Sequence, residues 1–450
     1  MSTLDRTKPP ASGTIRNFDF PDVERRELPN GLDMRVCTLP RLPVVSVTLF
    51  MRAGEAGLLE SQAGVAVLTG DALEGGTRRR DGAELADALE SIGARLGVST
   101  GWEGTSVSMS CLADRLPEAL GLLTETVLEP AFPEDEVDRA REQCLAGIQQ
   151  RAMDPAALAS EEAARRYYPS GVPYARPQGG TEASVESVTR EQLSGYADAY
   201  YKPEGGGLIV AGDVSTDEIE ALAREHLDGW VGSVPTPDDF EVEPVTRERR
   251  VWLVDRPGSV QSEIRVGHIG AARATPDYFP LTVANLLFGG TFTSRLNLNL
   301  RERNGFTYGV RSRFGFRSRP GPFTVSTAVG NDVTAAAVRE IVSELEMLVA
   351  EGPTEEEVGA ARDYAAGVFG LQLESAGQIA SRVNQIVVYG LADDYYHRYR
   401  DSVRAVSVDE VTDAVRRHVR PAEAQVIVVG DAESIGPDLD ALGLGTMEVV

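Results

Sequence analysis

Hydrophobic and polar positions along the chain predict strands that alternate with helices, in the same order in both halves. Each half begins with a strand and an apolar helix, continues with a strand and amphipathic helices, and ends with an all-apolar strand. The paired segments are 44–51 and 263–268, 64–73 and 279–288, 105–111 and 322–328, and 208–213 and 425–431. This order predicts an α+β class protein built from two homologous α/β sandwich domains, with the helices on one face of each sheet.

The chain also repeats itself in sequence. Residues 188–213 align without a gap on residues 406–431. The identical pairs are Val188/Val406, Pro203/Pro421, Ile209/Ile427, Val210/Val428, Gly212/Gly430 and Asp213/Asp431. A second echo, at nearly the same offset, pairs Glu136, Val137 and Arg141 with Glu357, Val358 and Arg362. Two separate segments that share almost one offset indicate an ancient duplication of half the chain.

A proline-rich and acidic segment at 234–246 lies between the two halves. It has no helical period, so it predicts an extended linker. We therefore divide the chain into an N-terminal arm at 1–20, a first domain at 21–234, a linker at 235–246 and a second domain at 247–450.

The composition excludes several classes of function. The chain has 69 acidic residues against 44 Lys and Arg, a net charge of −25, so a nucleic-acid backbone would be repelled. Cys37, Cys111 and Cys144 are far apart and predict isolated thiols in a reducing compartment. The N-terminus lacks the apolar core of a signal peptide, and no stretch is apolar enough to span a bilayer. We expect a cytoplasmic protein.

Common catalytic motifs are missing from the sequence. It has no P-loop and no GxSxG, and the glycine run at 205–207 precedes a strand, which is the wrong side for a dinucleotide site. The four histidines, His226, His268, His397 and His418, are mutually distant. Asp394 and His397 have the spacing of a metal pair, but we interpret them as a solvated helix face.

One segment, 64–77, resembles the zinc helix of the pitrilysin/insulinase/mitochondrial-processing-peptidase superfamily of metallopeptidases. In that family the helix carries HxxEH, whose histidines bind zinc and whose glutamate activates the bound water. The corresponding residues here are Val67, Gly70 and Asp71, and the third zinc ligand of the family falls at Gly147. The resemblance implies a degenerate site that holds no metal and a chain without a cofactor.

The second half is similar to the C-terminal signature of the same family. Residues 288–296 match its GG-x-x-x-SRL element, and 300–310 match LRE-x-x-G-x-x-Y. The resemblance assigns Arg301 and Tyr308 to the substrate-holding pair of the family. Spacing alone favours another interpretation, in which Arg301 pairs with Glu302 or a nearby acid on a helix surface and Tyr308 merely starts a strand after a turn at Gly305. The aligned Gly-Gly and Ser-Arg-Leu shift the balance toward the substrate role.

These features resemble the zinc-less subunit of a two-chain metallopeptidase. The resemblance implies antiparallel-rich sheets, a noncatalytic subunit that supplies Arg301 and Tyr308, and no peptidase activity of the chain alone. The implied partners are a zinc-bearing sister subunit and a peptide substrate, and a homodimer stays possible. With the sister subunit, we expect the chain to enclose an acidic chamber whose negative walls favour basic or unstructured peptides. The alternative is a scaffold or peptide-binding homologue without hydrolytic activity.

Overall fold

The computed structural model describes Gly13, residues 17–235 and residues 240–450, so most of the predicted arm and part of the linker lie outside the described residues. Within these ranges two sheets form. Their strands are β1 (Glu24–Glu27), β2 (Asp33–Thr38), β3 (Val44–Met51), β4 (Arg95–Thr100), β5 (Thr105–Leu112), β6 (Gly207–Gly212), β7 (Arg250–Asp255), β8 (Gln261–Ile269), β9 (Val310–Phe314), β10 (Pro322–Gly330), β11 (Gln425–Gly430) and β12 (Thr446–Val449).

Helices connect these strands in both halves. They are α1 (Val65–Asp71), α2 (Gly82–Ser91), α3 (Leu116–Leu128), α4 (Glu134–Met153), α5 (Pro155–Tyr167), α6 (Glu182–Glu186), α7 (Arg190–Tyr200), α8 (Thr216–Leu227), α9 (Tyr278–Asn285), α10 (Thr334–Glu351), α11 (Glu355–Leu371), α12 (Ala376–Tyr389), α13 (Tyr395–Ala405), α14 (Val408–His418) and α15 (Ala432–Asp440). None of these described helices has the length and hydropathy needed to cross a bilayer.

The two sheets have the same topology. The first has the order β1-β2-β6-β3-β5-β4 and the second β12-β7-β11-β8-β10-β9. In both, the central strand pairs parallel to one neighbour and antiparallel to the other: β6 with β2 and β3, and β11 with β7 and β8. The outermost strand beside β2 or β7 differs, because β1 is antiparallel and β12 is parallel. The predicted duplicated α+β fold is confirmed.

A repeated hydrogen bond accounts for the repeated sequence. Arg141 in α4 donates from Nη1 to the carbonyl of Val188 at 3.0 Å. Arg362 in α11 donates in the same way to the carbonyl of Val406 at 2.9 Å. In each half, the repeated arginine therefore binds the carbonyl of the repeated valine. This contact joins the long helix, α4 or α11, to the start of the last helix-strand unit.

The central strands are buried on both faces. On one face, Leu208 and Val210 of β6 pack in a core with helices of the first half, and Val426 and Val428 of β11 do so in the second. This arrangement is the predicted layer of helices on one face. Burial of the other face as well accounts for the lack of polar alternation in these strands.

The opposite face of each sheet is covered by a helix from the other half. Helix α12 packs on β3 and β6 of the first sheet, and α5 packs on β8 and β11 of the second. Ile209 of β6 lies in one cluster with residues of α12, and Ile427 of β11 in another with residues of α5. The prediction of helices on one face was therefore incomplete. The second face of each sheet is covered by one helix from the other half.

The two apolar helices are shorter than their patterns predicted. Helix α1 ends at Asp71 and continues as a 3-10 turn over Ala72–Gly75, whereas α9 continues as a π-type segment over Leu286–Gly290. Both extensions contain glycine, which lowers the stability of a regular α-helix.

Candidate functional site

Helix α1 is in the position of the family's zinc helix, and a buried carboxylate caps its N-terminus. Glu55 is fully buried and accepts hydrogen bonds from the backbone N–H groups of Gly64, Ala66 and Val67 at 3.0–3.2 Å. Burial raises the pKa of Glu55 to about 7, although these N–H donors and the charge of Arg176 oppose the rise. Glu55 satisfies donors that a helix start leaves unpaired, so its role here is structural.

Most of the residues at the family's zinc-binding positions lack a side-chain atom that could bind a metal. Val67 has no donor atom and Gly147 in α4 has no side chain. Gly70 is buried, and a Cβ atom added to it would lie 2.4 Å from Oγ1 of Thr100 in β4. A side chain as large as glutamate therefore does not fit between α1 and β4 unless Thr100 moves. Asp71 is the single residue of this set with a ligating atom.

The neighbourhood of Asp71 does not complete a metal site. Partial desolvation raises the pKa of Asp71, and burial together with the charge of Asp71 raises the pKa of Glu74. Burial also raises the pKa of the Cys144 thiol, which donates a hydrogen bond to the carbonyl of Gly179. Among the described residues, no group of three or more His, Cys, Asp or Glu side chains is arranged to hold a metal ion. The described residues around Asp71 therefore do not fit a zinc ion.

Each of the three histidines in the second half contacts another residue of the chain. His268 is buried between the carbonyl of Ile269 and the backbone N–H of Arg420, and burial lowers its pKa to about 4. His418 lies 2.8 Å from Asp277, and His397 lies 3.4 Å from Asp22. Asp394 pairs with Arg398 rather than with His397.

Most of the C-terminal signature holds the backbone in place. A Cβ atom at Gly289 would lie 2.6 Å from the backbone nitrogen of Ser312, so only glycine permits this close approach to β9. Asn297 donates to Oγ of Ser294 and to the carbonyl of Val310. Arg295 donates to Glu357 at 2.7 Å. The signature thus packs the segments at 286–303 against β9 and α11.

Arg301 and Tyr308 lie on the surface. Arg301 belongs to the π-type segment Asn297–Arg303, with its guanidinium 4.0 Å from the ring centroid of Phe292 and its Nε 3.6 Å from Glu302. Tyr308 precedes β9 and is 98% exposed. The structure does not bring the two side chains into contact within this chain. The Arg301–Glu302 pair is the one that the alternative interpretation predicted.

A cavity of about 810 Å³ lies between the two halves. Its floor is the outer face of β8, β9 and β10, and α5 and the segment around Trp102 form walls. The charged residues that line it are Glu103, Arg265, Arg311, Arg313 and Arg317, and neither Arg301 nor Tyr308 is among the lining residues. This cavity lies within one chain, so the acidic chamber expected between this chain and a sister chain stays a prediction.

Two family models match the chain in succession. The model described as "Insulinase (Peptidase family M16)" matches residues 38–178, and the model described as "Peptidase M16 inactive domain" matches residues 187–364. The first match contains α1 and the second contains Arg301 and Tyr308.

Several proteins match this chain over nearly their whole length. An uncharacterized zinc protease of Mycobacterium tuberculosis is 29% identical over 410 residues, which cover 90% of this chain and 92% of the relative. A peptidase M16 inactive domain from Pseudomonas fluorescens superimposes with a TM-score of 0.83 at 26% identity, over 91% of this chain and 98% of its own. A protease from Helicobacter pylori shares the fold, with a TM-score of 0.85 at 19% identity, over 91% of this chain and all of its own.

Proposed function

This chain belongs to the pitrilysin/insulinase superfamily, peptidase family M16, and from that premise we propose that it is the noncatalytic, substrate-binding subunit of a two-chain zinc metallopeptidase. Its partner is a zinc-bearing sister chain of the same fold. The observation that carries the proposal is the contrast between the two halves: every zinc position is lost, whereas the signature around Arg301 and Tyr308 is retained.

The chemistry of the retained pair suits a supporting role. An arginine guanidinium stays charged at any working pH, and a tyrosine hydroxyl donates one directed hydrogen bond. Together they would hold a scissile carbonyl of the substrate and would stabilise negative charge on its oxygen, and a zinc ion held by the partner would supply the activated water. The same groups contribute nothing to hydrolysis without a zinc-bearing subunit.

The surface around the pair supports a role toward another chain. Phe292 is 63% exposed and Leu298 48% exposed, and both lie within 16 residues of the fully exposed Tyr308. The Phe292 ring packs against the Arg301 guanidinium, and exposed aromatic and arginine side chains are enriched on surfaces that a second protein covers. A residue that acts in the partner's site must lie on such a surface.

Reconstitution tests the proposal. The purified chain is assayed for peptidase activity alone and with a candidate sister chain that carries HxxEH. We expect no activity alone and activity in the mixture. In the mixture, Arg301→Ala should lower kcat/KM by about 10²–10³-fold, the usual loss when one stabilising donor is removed, and Tyr308→Phe should lower it in the same direction.

Arg303→Ala is the matched control, because Arg303 is an exposed arginine of the same π-type segment and has no side-chain partner in the described part of the chain. A complex that is indifferent to Arg301→Ala and Tyr308→Phe contradicts the assisting role. Zinc bound tightly and in equal molar amount by the lone chain contradicts the degenerate site.

One observation favours a second candidate, a scaffold or peptide-binding homologue without hydrolytic activity. Arg301 already contacts Phe292 and Glu302, and neither Arg301 nor Tyr308 lines the cavity between the halves. Under this alternative, the chain binds peptide but no sister chain produces hydrolysis, and the Arg301 and Tyr308 substitutions change nothing.

A further inference from the structure

The floor of the cavity between the halves is rich in unpaired positive charge. Arg311 and Arg313 are two residues apart on β9, so both side chains project from the same face of the second sheet. On the neighbouring strand they are paired with Ser326 and Thr324, which also line the cavity. The face that looks into the cavity therefore carries two arginines over hydroxyl groups, whereas Val310 and Phe314 point to the core.

These arginines are not neutralised within the chain. In residues 17–235 and 240–450, the side chains of Arg311 and Arg313 have no ion pair and no hydrogen bond. By contrast, Arg265 on the same floor pairs with Glu263 at 2.8 Å. A strongly acidic molecule thus keeps a local positive surface where its two halves meet, and such a surface attracts anionic groups.

Arg317 adds a third unneutralised charge at the edge of the same cavity. Its guanidinium lies 4.2 Å from the ring centroid of Tyr174 and 4.9 Å from that of Trp102. Its Nη1 is buried without a hydrogen-bond partner in the described structure. The aromatic rings hold the cation in place by cation–π attraction, and they supply no carboxylate to balance it. The one acidic lining residue, Glu103, accepts instead from the backbone N–H of Ser318.

We propose that this cavity binds peptide segments rich in aspartate and glutamate, with the acidic side chains seated on Arg311, Arg313 and Arg317. The inference rests on the proposed function, since it names the substrate class of that peptide-holding subunit. An extended peptide presents every second side chain to one face, and this spacing matches that of Arg311 and Arg313. Planar guanidinium groups bind carboxylates through paired hydrogen bonds. The volume is in the ~300–1,000 Å³ range of ligand pockets.

Peptide binding by the full chain, without any partner, tests the inference. Three labelled ten-residue peptides are titrated by fluorescence anisotropy at low salt: alternating Glu and Ser, alternating Gln and Ser, and alternating Lys and Ser. We expect the Glu peptide to bind at least about tenfold more tightly than the other two. The double variant Arg311→Glu and Arg313→Glu should lose at least about tenfold in affinity for the Glu peptide, and Arg317→Met should weaken it as well.

A double variant with the same charge change is the control. Arg41→Glu and Arg404→Glu also changes two exposed arginines that lack side-chain partners in the described residues, but neither lines this cavity. It should leave the Kd within about twofold, because distant exposed charges are largely screened. Thermal unfolding of each variant verifies that it is folded.

Several outcomes overturn the inference: equal or tighter binding of the Gln or Lys peptide, an unchanged Kd in the Arg311 and Arg313 variant, or an equal loss in the control. Displacement of the Glu peptide by inorganic phosphate at equal concentration also overturns it, since the cavity then binds any small anion. The result is separable from the proposed function. Acidic-peptide binding without hydrolysis in any reconstituted mixture removes the peptidase role alone, and Arg301-dependent hydrolysis indifferent to peptide acidity removes the acidic preference alone.

Discussion

At the scale of single residues, Gly70 shows why α1 has no room for a side chain at the position of the family's general base. The nearest obstacle to a side chain there, Thr100 Oγ1, is itself held 3.0 Å from Oγ1 of Thr105. Thr105 is fully buried and donates to the carbonyl of Ala53, so this small network has little freedom to yield. A polar contact between strands thus occupies the space that a general base would need.

This contact makes a measurable prediction for Gly70→Ala. Alanine is favoured over glycine in a helix by up to about 1 kcal/mol, but the new methyl group would overlap Thr100. We expect the clash to outweigh the helical gain and to lower the free energy of unfolding by about 1–3 kcal/mol, as overpacking in a closed core does. Urea denaturation measures the difference.

Gly195→Ala is the matched control, because Gly195 lies in α7 and a Cβ atom there meets nothing within 4 Å. That variant should be more stable than the parent by up to about 1 kcal/mol. If both substitutions stabilise the protein equally, Thr100 does not close the site.

At the scale of elements, the two exchanged helices join the halves. Helix α12 buries Ile386 and Val383 against the first sheet, and Asn384 donates to Oγ of Ser106 in β5. In the reciprocal position, α5 places Arg166 3.8 Å from the ring centroid of Trp252 in β7. The outer face of each sheet is therefore completed by the other half, and neither half has a finished core by itself.

Ile386→Ala tests this exchange. The substitution removes a side chain that is 1% exposed, so it should cost about 2–5 kcal/mol of stability. Because α12 covers the first sheet, hydrogen exchange should quicken in β3 and β6 as well as in α12 itself. Leu371→Ala, at a 66% exposed position that ends α11, should change neither quantity. Loss of protection confined to the second half would contradict the exchanged packing.

At the scale of the whole molecule, the fold is two copies of one unit closed around a shared cavity. The net charge of −25 is distributed so that the cavity floor stays positive. Because α5 and α12 each pack on the sheet of the other half, we expect the assembled state not to require an intact linker.

We therefore predict that the two halves stay associated after the chain is cleaved in the linker. A protease site inserted after Val245, an exposed position, allows the purified protein to be cleaved into its halves. The cleaved protein should elute in size-exclusion chromatography as one species at the volume of the intact chain. The same cut in the Ile386→Ala background should release the fragments more readily. Separation of the halves of the parent protein on cleavage would show that the linker, rather than α5 and α12, maintains the structure.

Much of the architecture was readable from local pattern. The sequence repeat, with Arg141 and Val188 corresponding to Arg362 and Val406, predicted the duplication. The apolar strands predicted at 208–213 and 425–431 are β6 and β11. The lack of a side-chain donor at Val67 and Gly70 was equally readable, because it depends on residue type and not on the fold.

Tertiary structure alone decided which half each helix covers, where the charge lies and how the supposed site residues are exposed. Helices α5 and α12 have the same apolar stripe whichever sheet they cover, so periodicity does not distinguish the two arrangements. Arg311 and Arg313 are ordinary charged residues until the register of β9 turns them toward the cavity. The chemistry of a side chain depends on its residue type alone, so it can be read from the sequence. Its burial, its pairing and the charge of a cavity depend on residues that are distant along the chain.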